Sequence, residues 1–213
     1  AGQVKTSENR AEVWLIVKRT VDGVTKRYVE MFERDWENDD AQEDAYYVDS
    51  LVTYDGAAVT TISGLSHLEG QTVRVLADGA IHPDGTVASG AITLEGARSV
   101  VQVGLGYTHT MQSLKLMPGT AAGTPLGRTK QVFGVTFVLL NSHTLAFGPA
   151  TDDLQPAVDF REVADLMDTG VPYFTGEYFA EFDDDWKTDP RIAIQSSDPA
   201  PFTLLALILE TDV

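Results

Sequence analysis

The chain has 213 residues, 43% of them hydrophobic, with thirty-two acids against fifteen bases, a net charge of −17 and no cysteine. That size and apolar content suit one large or two small globular domains whose core needs no covalent staple. The charge argues against a phosphate-binding face of clustered lysine and arginine, and the missing cysteine removes disulfides and thiolate chemistry. The longest apolar run, Phe202 to Leu209, is too short to cross a bilayer as a helix. The opening AGQVKTSENR has neither a Met nor the apolar stretch of a signal peptide, so the chain reads as processed or cut from a longer protein.

The strongest local signal is EVWLIVKRTVDGVTKRYVEMFE, residues 12–33. Two strand-like runs flank Asp22-Gly23, a dipeptide that favours positive φ and the tight turn matching strand twist. A two-residue loop sets Trp14 opposite Met31, Ile16 opposite Val29 and Val17 opposite Tyr28, so apolar residues meet apolar residues and the register is self-consistent. Lys18 then faces Arg27 near the tip, which implies exposure: a solvated hairpin end or a seat for an anion.

ERDWENDDAQEDA, residues 33–45, carries seven acids and no strand pattern. It reads as a linker or exposed loop. Clustered carboxylates also admit calcium, but the spacing does not match an EF-hand loop and its glycine is missing.

Residues 46–117 read as strand after strand, with turn dipeptides at Asp55-Gly56, Glu69-Gly70, Asp78-Gly79, Asp84-Gly85, Ser89-Gly90 and Glu95-Gly96. Short β-branched runs at this spacing predict a compact barrel or sandwich. In SVVQVGLGYTH the residues Val101, Val103, Leu105 and Tyr107 share one face. Gly104 and Gly106 occupy the other, which must approach another backbone or bend the strand. Gly64, Gly70 and Gly79 are spaced as corners, and no strand–glycine loop–helix unit follows them, so neither a dinucleotide fingerprint nor a P-loop is present. His67, between two of these corners, is expected to bond to nearby backbone.

PGTAAGTPLGRT, residues 118–129, is the expected domain boundary. KQVFGVTFVLLNS after it is apolar on both faces, as a strand buried between layers would be. VDFREVADLMDTG, residues 158–170, is the one helical candidate, of a turn or two. TGEYFAEF is strand-like, and DDDW reads as an acidic turn. In PRIAIQSSDPAPFTLLALILETD two strands flank a turn, and the second, apolar on both faces, is expected in the middle of a sheet and at the natural end of the chain.

The four histidines, His67, His82, His109 and His143, form no H-x-x-x-H or H-x-H zinc pattern, and there is no G-x-S-x-G elbow. Paired carboxylates such as Asp152-Asp153 and Asp183-Asp184-Asp185 suit solvated turns, although a glycosidase pair needs only spatial proximity. The three tryptophans and seven tyrosines suit core or interface packing, or a sugar site. No catalytic, cofactor-binding or metal-binding residue is assigned, no cofactor is expected, and the reading is non-enzymatic.

Taken in order, EVWLIVKRTVDGVTKRYVEMFE, YYVDSLVTYDG, GLSHLEGQTVRVLADG, GAITLEGARSVVQVGLGY and IQSSDPAPFTLLALILE resemble the C-terminal region of a tail protein of short-tailed bacteriophages and prophages. The likeness is to the tail nozzle, or tail tubular protein B, and to the packaged-DNA stabilisation proteins, and it covers nearly the whole chain. It implies a structural, β-rich virion protein, made in the bacterial cytoplasm, whose larger relatives carry a propeller-like body ahead of a platform of β-domains. The implied partners are other tail proteins and further copies in a ring-forming homo-oligomer, with DNA passing through unbound and no membrane. In such a nozzle, acids in the loops 33–44 and 183–189 would repel sliding phosphates.

The expected architecture is therefore all-β. Residues 1–45 form a hairpin and acidic linker left from an upstream propeller-like domain, 46–120 a small barrel or sandwich, and 121–213 a C-terminal sandwich. The hairpin is expected to be the least anchored element. The alternative is a β-sandwich module that binds a host-surface glycan.

Overall fold

The computed structural model describes residues 2–5, 11–33, 36, 40–117, 127–156, 158–166, 169–182 and 184–212. The fold is all-β: fourteen strands and no α-helix among the described residues, with every pair antiparallel. The chain divides into two compact units, 1–106 and 107–213.

The first unit opens with β1 (Gly2–Lys5), β2 (Ala11–Val21) and β3 (Val24–Met31), in the order β1-β2-β3. The β2–β3 register is the one expected, with Trp14 opposite Met31, Ile16 opposite Val29, Val17 opposite Tyr28 and Lys18 opposite Arg27. The turn works because Asp22 and Gly23 both take positive φ, 49° and 70°, the pair of left-handed residues that a twist-matched two-residue loop requires.

A second sheet has the order β4-β7-β5-β6, from β4 (Asp49–Ser63), β5 (Thr72–Ala77), β6 (Ala80–Thr86) and β7 (Ala91–Leu105). Its core gathers Ile62, Leu65, Leu68, Val73, Val75, Val87, Ile92, Val101 and Val103. Each such side chain contributes roughly 1.5–3 kcal/mol on burial. Three expected turns are instead strand interior: Asp55-Gly56 lies within β4, Asp84-Gly85 within β6 and Glu95-Gly96 within β7. All three sit at register shifts, where a small residue lets a long strand bend without ending. Asp78-Gly79 and Ser89-Gly90 do turn, with positive φ throughout. Gly104 meets another backbone, as expected: a Cβ there would stand 2.5 Å from the Asp49 carbonyl oxygen.

The second unit is a sandwich. One sheet runs β11-β10-β13-β8, from β8 (His109–Gln112), β10 (Thr144–Gly148), β11 (Val158–Asp159) and β13 (Ala193–Ser196). The other runs β12-β9-β14, from β9 (Gln131–Ser142), β12 (Phe174–Glu181) and β14 (Thr203–Asp212). Val135, Phe137 and Leu139 of β9 pack with Phe147, Phe182, Ile192 and Ile194 in one core, the interdigitation expected of two packed sheets.

Several expectations are corrected. The domain boundary falls at 106/107 rather than within 118–129, because His109–Gln112 pairs with Ala193–Ser196 and so belongs to the second unit. The ranges 46–120 and 121–213 shift accordingly, and 118–126 lies outside the described residues. The hairpin clusters with 46–106 in one unit rather than standing apart. Residues 158–170 hold a two-residue strand and a turn closed by Asp165 N–H donating to the Glu162 carbonyl, with no helix among the described positions. β9 is central in its sheet but is not buried between layers: Val135, Phe137 and Leu139 lie in the core, whereas Leu140 is 36% exposed on the other face, and β14 is an edge strand. An apolar sequence on both faces therefore does not place that strand mid-sheet; it leaves apolar side chains outside.

Candidate assembly surface

The two faces of the hairpin differ. Leu15, Val17, Arg19, Val21, Tyr28 and Glu30 are half-buried or buried. Arg19 makes a fork to Glu30, Nε donating to Oε1 at 3.1 Å and Nη2 to Oε2 at 2.8 Å. The Ser50 hydroxyl donates to the same carboxylate at 2.9 Å, and His67 Nε2 lies 3.2 Å from the Ser50 carbonyl oxygen. His67 thus bonds to backbone, as the sequence suggested, and its ring meets Tyr28 edge-on. This network ties the hairpin to the start of β4.

The Arg19 hydrogen bonds, aided by the Ser50 hydroxyl, hold the Glu30 carboxyl below its ordinary value of about 4.5, against the opposing effect of burial. A carboxyl depressed in the fold supplies stability that is fully present above its unfolded pKa and is lost as pH falls through the folded one. The hairpin amides are therefore expected to exchange faster as pH falls below about 4.5, after correction for intrinsic rates. Arg19→Ala, which strands a half-buried carboxylate, is expected to cost about 1–3 kcal/mol and to abolish that pH response. Hydrogen exchange that is unchanged in residues 12–31 of this variant would show the network carries no load.

The other hairpin face is open. Trp14, Ile16, Val29 and Met31 are 37%, 72%, 69% and 38% exposed, and Lys18 and Arg27 stand beside them, exposed and without an ion-pair partner among the described residues. Four large apolar side chains set in facing pairs on one sheet surface form the kind of patch that marks a protein contact.

The second unit carries a similar face on β12-β9-β14. Phe179, Leu205 and Ile208 are exposed there. Phe179 and Ile208 flank Thr136, and Glu181 and Glu210 flank Gly134 in the next row. A Cβ on Gly134 would stand 2.9 Å from the Phe179 ring and 3.0 Å from Glu210 Oε2, so both side chains close over this glycine.

The other sequence candidates separate. His82 is buried, with Nδ1 on the Pro83 carbonyl and Nε2 accepting from the Glu95 N–H; both ring nitrogens serve the backbone. His109 packs edge-on against Tyr107. His143 Nδ1 lies 3.4 Å from Asp198, whose carboxylate also accepts from Thr144 Oγ1. The acid sits between hydroxyl and imidazole, whereas nucleophile activation needs the imidazole in the middle. The arrangement pins the 197–201 turn to β10.

The run 183–189 is not the free acidic loop expected. Asp183 lies outside the described residues, Asp184 is buried and bonds Lys187 Nζ at 2.7 Å, and Asp189 pairs with Arg191. Those partners push the Lys187 ammonium up and hold the Asp189 carboxyl down. In 33–44, residues 34, 35 and 37–39 lie outside the described set; Trp36 Nε1 donates to the Ala41 carbonyl and Gln42 Nε2 to the Gly79 carbonyl. No group of three or more His, Asp or Glu side chains among the described residues is placed to hold a metal ion. An open cleft of about 480 Å³ is lined by Pro149, Asp153, Leu154, Gln155, Asp184, Asp185 and Lys187, with no aromatic ring. No helix among the described residues is long and apolar enough to cross a membrane.

These features define an all-β protein of two units with exposed apolar sheet faces. No family model matches the chain, and no curated protein matches it.

Proposed function

We propose that this chain is a structural component of a short-tailed phage or prophage tail, a nozzle- or tube-type subunit that works through protein–protein contacts. The observation that carries the reading is the hairpin face of Trp14, Ile16, Val29 and Met31, held outward by the Arg19–Glu30–Ser50 network on its reverse side. A sheet fastened by one face and apolar on the other is built to receive a partner. The ordered strings that resemble the nozzle region support the same reading, and the net charge of −17 suits a wall past which DNA slides without sticking. The cleft beside Asp184 lacks the aromatic lining that a glycan-binding module would use.

The test is incorporation. Particles purified after induction of the phage genome that encodes this chain are expected to contain it at a fixed stoichiometry, by quantitative mass spectrometry, with antibody label confined to the tail. Deletion of its gene is expected to leave filled heads that cannot infect. Particles lacking the chain, or infectious particles after deletion, would end the reading. In an assembled structure, acids spread evenly over inner and outer walls would remove the channel argument alone.

A further inference from the structure

We infer that the chain associates with a second copy of itself, head to tail, through the open hairpin face of one copy and the outer β12-β9-β14 face of the next. The inference deepens the assembly reading by naming the partner of its surface, and it rests on that reading only for the purpose of the contact.

The argument is a match of pattern and sign. On the hairpin, the apolar row Ile16–Val29 is followed by the basic row Lys18–Arg27. On the second unit, the apolar row Phe179–Thr136–Ile208 is followed by the acidic row Glu181–Gly134–Glu210. Successive rows on one sheet face are two residues, or about 7 Å, apart. Each surface thus steps from apolar to charged over the same distance, with opposite charge. Laid face to face, the rows place Ile16 and Val29 against Phe179 and Ile208, and Lys18 and Arg27 against Glu181 and Glu210. Gly134 lets the Phe179 ring and the Glu210 carboxylate close over it, so the two rows form one continuous surface.

The surplus acid of this chain, thirty-two against fifteen bases, makes the two open cations beside the hairpin patch a local exception. Like-charged copies otherwise repel, so complementary rows select the orientation of approach. The two faces differ, so the contact is heterologous: every bound copy still offers one free face of each kind, and association continues into rings or filaments.

Complementation of face variants tests this, using the purified chain and sedimentation velocity over a wide concentration range. Wild type is expected to form oligomers beyond the dimer as concentration rises. The hairpin variant Ile16→Asp/Val29→Asp and the sheet variant Phe179→Asp/Ile208→Asp are each expected to stay monomeric, since each keeps only one working face. An equimolar mixture is expected to form one-to-one dimers and nothing larger. Lys18→Glu/Arg27→Glu is expected to weaken association by roughly tenfold or more, and pairing it with Glu181→Lys/Glu210→Lys to recover most of that loss.

All four positions in the apolar variants are at least half exposed, and circular dichroism checks that each variant keeps its strand signal. A wild type that stays monomeric to millimolar concentration overturns the inference. So does a mixture that stays monomeric, or variants that still oligomerise alone. A monomeric chain that is nonetheless found in tails leaves the proposed function standing without this contact; oligomers of a chain absent from tails leave the contact without that function.

Discussion

Adding one methyl group at Gly148 is expected to lower the stability of the 107–213 unit by about 2–4 kcal/mol. Gly148 ends β10 opposite Ala193, and the chain then doubles back through a turn closed by the Asp153 N–H donating to the Ala150 carbonyl. A Cβ on Gly148 would run into the Asp153 carbonyl oxygen and stand 2.9 Å from Leu154 Cα. These are backbone atoms, so no rotamer change relieves the clash. Relief means moving the 150–154 turn, which is fastened by the Gln155 N–H on the Phe147 carbonyl at 2.8 Å. At about 4 °C per kcal/mol for a domain near 100 residues, the melting of this unit is expected to fall by roughly 10 °C. Hydrogen exchange should locate the loss in β10 and β13. A melting curve within 1 °C or so of wild type would show the turn yields freely.

Lys130 is expected to be nearly as sensitive. It is fully buried, 0% exposed. Its backbone exchanges both hydrogen bonds with Lys187, and its ammonium donates to the Arg128 and Thr188 carbonyls at 3.1 and 3.3 Å. One residue therefore fastens the entry of β9 to the 184–189 segment. Lys130→Met keeps the volume and removes the donors, leaving two carbonyls short of a partner at about 1–3 kcal/mol each; relief of the buried charge offsets part of this, for a net loss of about 2–4 kcal/mol. Lys130→Ala adds a cavity and is expected to lose more. Urea denaturation of the two variants separates the terms. A methionine variant as stable as wild type would mean that burying the charge costs as much as its hydrogen bonds return.

Local chemistry made some elements legible in the sequence. The hairpin register followed from Asp22-Gly23 and facing apolar pairs, because a two-residue turn leaves no freedom in strand alignment. The close approach at Gly104 was legible from a glycine inside a β-branched alternation, whereas the run of β9, apolar on both sides, marked a strand without showing that one of its faces stays open.

What stayed illegible depends on distant partners. Asp55-Gly56 and Glu95-Gly96 have turn composition, yet they fall at irregularities inside β4 and β7, and the ladder between those two strands resumes beyond them, so neither strand ends there. β8 reads as continuous with the strands before it, and only its pairing with β13, some eighty residues later, assigns it to the second unit. The same holds for charge. Asp184 reads as part of a free acidic run, and nothing beside Lys130 in the chain marks that lysine as buried; burial is set by what folds over them. The open apolar faces follow this rule too: composition placed Ile16, Val29, Phe179 and Ile208 in strands, while sheet order alone left them outside. Short-range sterics and hydrogen bonding set turn type and pairing within a few residues. Which strand becomes an edge, and which side chain meets water, is a property of contacts between segments far apart in the chain.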